Sequence, residues 1–122
     1  MQHPDESYLR DVLNAARLIR QFIEGIDLES FRADQMRSSA VIRQLEIMGE
    51  ATKQLSLALR QANPDVRWRT IAGMRDVLIH GYRGVDLVEV YKAATMSIPD
   101  LIPRFERTWQ KSKTKQGRSD DA

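Results

Sequence analysis

Apolar residues recur every three or four positions along most of the chain, which is the spacing of one face of an α-helix. The first stripe predicts a helix with Asp5 as its N-cap and Gly25 near its end. Its members are Leu9, Val12, Ala16, Ile19, Ile23 and Ile26. The polar stretch that follows, 27–37, is predicted to be a connection with a short turn, anchored by Phe31 and Met36.

A second, long helix is predicted over 38–62, and it is apolar on more than one side. One stripe consists of Val41, Leu45, Met48, Thr52, Leu55 and Leu59. Further apolar surface beside it comes from Ala40, Ile47, Ala51 and Ala58. Such a helix must contact two neighbours, in the same chain or across a dimer. Asn63-Pro64-Asp65 ends it, because proline disfavours helical geometry in the residue before it.

The rest of the chain has the same helical spacing. A third helix is predicted over 68–80, with Trp68, Ile71, Met74 and Leu78 facing the core. Asp86 is predicted to cap a fourth helix, with Glu89 completing a capping box, and Pro99 to interrupt it. A last helix carries Leu101, Ile102, Phe105 and Trp109. The prediction is an all-α, up-and-down bundle of four to five helices over 1–112, followed by a disordered basic tail, 113–122.

Composition agrees with one globular domain. The 122 residues are 42% apolar and 30% charged, a balance typical of folded proteins in water. With no cysteine, the chain has no disulfides, thiolate metal sites or cysteine nucleophiles. It shows neither a signal peptide nor an apolar run long enough to span a membrane, which predicts a cytoplasmic protein with no membrane partner.

Positive charge is concentrated near the C-terminus, although the net charge is only +2. The segment from Leu101 to Arg118 contains one acidic residue, Glu106, and six basic residues: Arg104, Arg107, Lys111, Lys113, Lys115 and Arg118. Such a segment can follow a phosphate backbone, or it can be an ordinary solvated chain end.

The candidate chemistry lies in the stretch Arg75-Asp76-Val77-Leu78-Ile79-His80-Gly81-Tyr82. An imidazole that titrates near neutrality and a fixed guanidinium are the groups needed to cleave a phosphodiester without a metal. Asp76 lies one helical turn before His80 and can orient its imidazole. A histidine at a helix C-terminus can also be a simple cap, since the helix dipole stabilises its cation.

The spacing of Arg75 and His80 is awkward for one active site. Five residues place them about 140° apart on a regular helix. The helix must therefore unwind near His80, or a two-fold dimer must bring two copies of the segment into one cleft. We favour the homodimer, because it also explains the surplus apolar surface of the long helix.

The neighbouring polar residues have ordinary alternatives. Tyr82 can be a half-buried aromatic, or it can bind phosphate or a base or be modified covalently. Arg83 adds a cation for phosphate, while Arg67 and Arg69 are predicted to be surface charges. Intrahelical salt bridges account for Arg43, Glu46 and Glu50. We predict no metal site there, because no histidine lies at a ligand-like spacing.

Arg75 is followed after four residues by His80 and after one more residue by Tyr82. This spacing resembles the signature of the HepT-like branch of the HEPN superfamily. These are all-helical toxin ribonucleases encoded beside a minimal nucleotidyltransferase antitoxin. The blocks that carry the resemblance, in chain order, are 34–36, 40–51, 68–76 and 81–86.

The resemblance implies a HEPN-like fold and a homodimeric, metal-independent RNA endonuclease without a cofactor. By position, Arg75 and His80 match the catalytic pair, and Asp76 matches a supporting polar residue. Tyr82 matches the tyrosine that the antitoxin, an MntA-like nucleotidyltransferase, adenylylates to silence the toxin. The alternative is a non-catalytic module that binds a nucleotide or docks the nucleotidyltransferase.

Overall fold

The computed structural model describes residues 4–74, 76 and 86–121, with side chains described through Lys113. The described residues are helical and contain no strand, which confirms the all-α prediction. No helix among them has the length and apolarity needed to cross a bilayer. The elements are α1 (Asp5–Ile23), α2 (Leu28–Ala33), α3 (Gln35–Lys53), α4 (Leu57–Ala62), α5 (Trp68–Ala72), α6 (Leu87–Lys92), a π-helix (Ala93–Ser97) and α7 (Ile98–Asp121).

The core lies between α1 and α3, which form the most extensive helix–helix contact among the described residues. α7 packs on α1, and α5 packs on α3. The predicted stripes face this core. The fully buried large side chains include Leu9, Val12, Ile19, Val41, Met48, Ile71, Ile98, Ile102 and Phe105.

The start of α1 differs from the prediction. Pro4 is the N-cap residue, and no side chain caps this helix. Asp5 instead accepts hydrogen bonds from the backbone N–H of Ser56, at 2.8 Å, and from its hydroxyl, at 2.5 Å. The far end agrees with the prediction: α1 stops at Ile23, and Gly25 takes a positive φ of 71° that favours glycine.

The predicted connection 27–37 contains a helix. Asp27 caps α2 by accepting from the Ser30 N–H at 2.8 Å, a bond that lowers the pKa of its carboxyl. Asp34 caps α3 by accepting from the Arg37 N–H at 3.0 Å, so α3 begins at Gln35 instead of residue 38. The two caps enclose six residues, enough for a short helix, and Phe31 on it is fully buried.

The predicted long helix 38–62 is two helices. α3 ends at Lys53, and α4 begins after Ser56, whose hydroxyl accepts from the Leu59 N–H at 3.1 Å. The guanidinium of Arg60 donates to the carbonyls of Lys53 and Leu55, which a helix end leaves without partners. The Ser56 cap therefore stabilises the start of α4, and Arg60 stabilises the backbone that follows α3. As predicted, α4 ends before Pro64.

Asp86 caps α6, as predicted, by accepting from the N–H groups of Val88 and Glu89. The predicted interruption near Pro99 is a change of helix type. The wider π-helix joins α6 to α7, and Pro99, which has no N–H to donate, follows it directly as the second residue of α7.

The end of α7 is held against α1 by charged groups around an aromatic ring. Lys113 donates to Glu6 at 2.5 Å, and this bond lowers the pKa of the Glu6 carboxyl. The Lys113 ammonium and the Arg10 guanidinium lie 4.8 and 5.6 Å from the centre of the Trp109 ring. The helix runs to Asp121, whereas the sequence predicts disorder at 113–122; the division at residue 112 stays a prediction.

Replacing Ser56 by alanine removes the α4 cap and the hydroxyl's bond to Asp5, while the backbone N–H of residue 56 can still donate to Asp5. We expect Ser56→Ala to lower the free energy of unfolding by about 1–2 kcal/mol, measured by urea denaturation. Ser7→Ala, on the exposed side of α1, is the matched control and should change it little. Equal losses in the two variants would contradict this role of Ser56.

Candidate active site

Helix α5 leads into the stretch that contains the candidate catalytic residues, and its start is firmly held. The Trp68 indole is buried, stacks on Phe105 and donates to the Asn63 carbonyl at 3.0 Å. Asn63 is itself buried, and its side-chain amide donates to the Leu59 carbonyl at 2.9 Å. Because a buried polar group is costly to leave unpaired, these bonds fix the orientation of α5.

The end of α5 lies against the backbone of α3. A Cβ atom built on Gly49 would come within 3.4 Å of the carbonyl oxygens of Ile71 and Ala72. Alanine would therefore sit in ordinary contact, while a branched side chain would overlap the last turn of α5. Gly49 thus sets how closely α5 approaches the middle of α3.

The predicted helix 68–80 does not run unbroken from Trp68. α5 ends at Ala72, and Gly73 forms a turn, although Met74 and Asp76 are again helical. Glycine favours this break because it has the greatest backbone freedom to lose in a helix. Trp68, Ile71 and Met74 do contact the core as predicted. Leu78, also predicted to do so, lies outside the described residues.

The chain is also held where it leaves the candidate stretch. After the Asp86 cap, Val90 is fully buried in the core. The Tyr91 hydroxyl donates to the Ile26 carbonyl at 2.8 Å, and its ring packs on Phe31 at 5.6 Å. Both ends of the stretch from Gly73 to Asp86 are therefore anchored to the bundle.

Among the predicted site residues, the structure describes Asp76. Its side chain is exposed, and its backbone N–H donates to the Gly73 carbonyl at 3.0 Å. Arg75, His80, Tyr82 and Arg83 lie outside the described residues, so their predicted convergence stays a prediction.

The described residues near the candidate stretch include both positively and negatively charged side chains. Arg67 and Arg69 are exposed, as predicted for surface charges, and place cations on the helix before the stretch. On α3, Glu50 forms an intrahelical salt bridge with Lys53 at 3.4 Å, in agreement with the prediction that such bridges account for this residue. No group of three metal-binding side chains occurs within the described part of the chain.

The structural role of Gly49 was not predicted from the sequence. The glycine stands inside a helical block, and periodicity gives no information about which backbone a glycine approaches. A glycine in the middle of a long helix is nevertheless a signal, because it costs about 1 kcal/mol relative to alanine and calls for a packing reason.

The comparisons with known proteins cover this whole region. The family model described as "Ribonuclease HepT-like" matches residues 12–108. A protein of Thermococcus cleftensis named "Probable ribonuclease HepT" is 40% identical over 107 residues, which are 88% of this chain and 97% of that protein. A protein of Caldanaerobacter subterraneus subsp. tengcongensis, whose name classes it as an RNase, is 37% identical over 106 residues, 87% of this chain and 95% of its own.

No solved structure matches the chain significantly. The family match includes the stretch from Arg75 to Tyr82, and the relatives align over nearly their full length. These findings confirm the resemblance seen in the sequence and support the predicted enzyme class, an endoribonuclease. The chain belongs to the HepT-like ribonuclease family.

Proposed function

We propose that the protein is the toxin of a toxin–antitoxin pair and cleaves RNA without a metal. The observation that carries the proposal is the family match across residues 12–108, which includes the arginine–histidine–tyrosine motif. The described architecture supports it, because both ends of the stretch with the motif are fastened to a rigid helical core.

The proposed reaction uses the RNA's own 2′-hydroxyl as the nucleophile. His80 takes the hydroxyl proton as general base, the 2′-oxygen bonds to phosphorus, and the bond from phosphorus to the 5′-oxygen breaks. The departing 5′-oxygen takes up a proton, a step that a protonated imidazole can perform. Arg75 stabilises the charge that builds up on the phosphoryl oxygens.

Asp76 is proposed to hold the His80 imidazole in position, and Arg83 to bind phosphate. The exposed cations Arg67, just before α5, and Arg69, on α5, precede the motif and favour an approaching polyanion. Arg75 and His80 are proposed to complete one another across a homodimer, so that each cleft uses groups from both subunits.

The proposed regulation acts at Tyr82. The partner antitoxin, an MntA-like minimal nucleotidyltransferase, transfers adenylate from a nucleoside triphosphate to the tyrosine oxygen with release of pyrophosphate. The product places a bulky anion two residues from His80. It competes with RNA for Arg75 and fills the cleft, which silences the ribonuclease.

Loss of either catalytic group should abolish cleavage. We expect Arg75→Ala and His80→Ala to lower the RNA cleavage rate by about 10²–10⁴-fold, as for loss of a general base or a charge-stabilising group. The wild-type rate should persist in a chelator and vanish on RNA whose 2′-hydroxyls are replaced by hydrogen. Metal-dependent cleavage, or full activity in His80→Ala, would refute the mechanism. Phosphate binding without turnover would favour a non-catalytic module.

The same variants test the shared cleft. Mixing inactive Arg75→Ala and His80→Ala proteins after subunit exchange should restore about a quarter of the wild-type rate, because half of the dimers then hold one intact cleft out of two. If both groups act within one subunit, mixed dimers stay inactive.

Co-expression with the nucleotidyltransferase should modify Tyr82. We expect mass spectrometry to find one or more adenylate units on the peptide that contains Tyr82, and the modified protein to lose RNA cleavage. Tyr82→Phe should stay unmodified and toxic in the presence of the antitoxin. Equal neutralisation of Tyr82→Phe would contradict regulation at this residue.

Gly49 provides a test of how α5 positions the motif. We expect Gly49→Val to displace α5 and to lower kcat for RNA cleavage by about 10–100-fold, since catalytic geometry tolerates little misplacement. Gly49→Ala should keep activity, because its Cβ lies at ordinary contact distance. A thermal melt separates displacement from unfolding. Equal activity of the two variants would show that the approach of α5 to α3 is not required.

A further inference from the structure

The charged residues of α7 divide between two sides of the helix. On the side toward α1, Lys113 donates to Glu6, and Glu106 pairs with an arginine of α1 at 3.7 Å. Lys111 lies about 160° around the helix from Lys113, on the side away from α1. That side has three basic residues at steps of three and four, which place them in one line: Arg104, Arg107 and Lys111. We name these three residues the α7 basic row.

The row lies beside the turn from which α5 begins. The Arg104 guanidinium donates to the Asp65 carbonyl at 3.0 Å, and the Arg107 guanidinium lies 3.6 Å from the Asp65 carboxylate. Phe105, between them in the chain, stacks on Trp68, the first residue of α5. The row is therefore packed next to the helix through which the chain enters the candidate active stretch.

This surface has an excess of positive charge. Its two carboxylates, those of Asp65 and Asp100, lie 3.5 to 3.7 Å from guanidinium groups of the row. Lys111 and the neighbouring Arg67 are exposed and form no ion pair within the described part of the chain. Ion pairs between solvent-accessible side chains contribute little free energy, so a phosphate can take the place of a carboxylate beside the row.

Nucleic acid fits this surface better than a protein partner does. Stable protein interfaces have an apolar centre that is depleted in charge. No large apolar side chain is exposed on α7 over residues 98–113, where the side chains are described. Surfaces that bind nucleic acid are more polar and much more positively charged. In the sequence, Lys115 and Arg118 continue the spacing of the row, as suits a ligand with repeated negative charges.

We propose that the α7 basic row binds backbone phosphates of the RNA strand to one side of the bond that is cleaved. The proposal rests on the proposed ribonuclease function and gives that substrate a second contact surface. From Arg104 to Lys111 the row spans about 10 Å at 1.5 Å per residue, the length of about three stacked nucleotides. α5 is about 7.5 Å long, so a few nucleotides of strand separate the row from the start of the candidate stretch.

Removing charges from the row tests RNA binding. Arg107→Gln and Lys111→Gln each replace a cation by a neutral polar side chain. The probe is 2′-O-methylated RNA, which lacks the proposed nucleophile, and binding is followed by fluorescence anisotropy over a range of salt concentrations. We expect each substitution to weaken binding about three- to tenfold at physiological salt. The slope of log affinity against log salt concentration should become shallower by about 0.7 per substitution.

Arg20→Gln is the matched control for these variants. Arg20 is exposed on α1 and lines a cavity together with Pro99, on the side of α7 away from the row. The substitution removes the same charge, and neither the affinity for RNA nor its salt dependence should change. A thermal melt of each variant checks the fold.

Cleavage kinetics test whether the strand held by the row is the substrate. For a long RNA, we expect the Arg107→Gln, Lys111→Gln double variant to raise KM at least about tenfold with kcat within about twofold of wild type. This split is expected because the row binds the flanking strand equally in the ground state and the transition state. The rise in KM should disappear with a dinucleotide, which is too short to reach from the cleft to the row.

The outcomes separate the row from the ribonuclease function. Unchanged affinity and salt slope in both single variants would overturn the RNA site on α7, even if the wild type cleaves RNA. Normal RNA binding combined with loss of neutralisation by the nucleotidyltransferase would also overturn it, since the row would then dock a protein. An equal rise in KM for the dinucleotide would contradict a contact outside the cleft. Binding that depends on the row, without RNA cleavage by the wild type, would keep the phosphate site and refute the ribonuclease.

Discussion

Burial of α3 against α1 is the interaction on which the remaining elements depend. Leu9, Val12 and Ile19 of α1 and Val41 and Met48 of α3 are fully buried. α5 and α7 then pack against the outer sides of this pair. Because interiors are close-packed and yield little, a fixed α1–α3 contact also fixes where α5 ends. The point at which the chain enters the candidate active stretch thus follows from the packing of α1 on α3.

The candidate stretch is held in the bundle at both of its ends. Before the stretch, the bond from Trp68 to Asn63 is buried inside the bundle; after it, Tyr91 joins α6 to the end of α1. Catalytic groups are often found on connections whose ends a scaffold holds in place.

Periodicity was sufficient to predict the all-α class, the core-facing side of α1 and most buried residues of α3. It failed where a long-range contact decided the outcome. The end of α3 depends on Ser56, which binds Asp5 fifty-one residues away. α2 was missed because its single buried anchor, Phe31, shows no period. The roles proposed for Arg75, His80 and Tyr82 rest on the family resemblance, since helical spacing alone argued against convergence of Arg75 and His80.

The π-helix has a consequence for the length of the chain. A π turn holds one more residue than an α turn, so the Ala93–Ser97 segment amounts to an insertion within a continuous helix. Keeping all five residues but winding them as an α-helix would rotate all that follows by about 100°. Ile98, Ile102 and Phe105 would then leave the core, and polar neighbours would enter it. This segment therefore sets the helical phase of α7: the five residues hold Ile98 in the core only when they are wound as a π-helix.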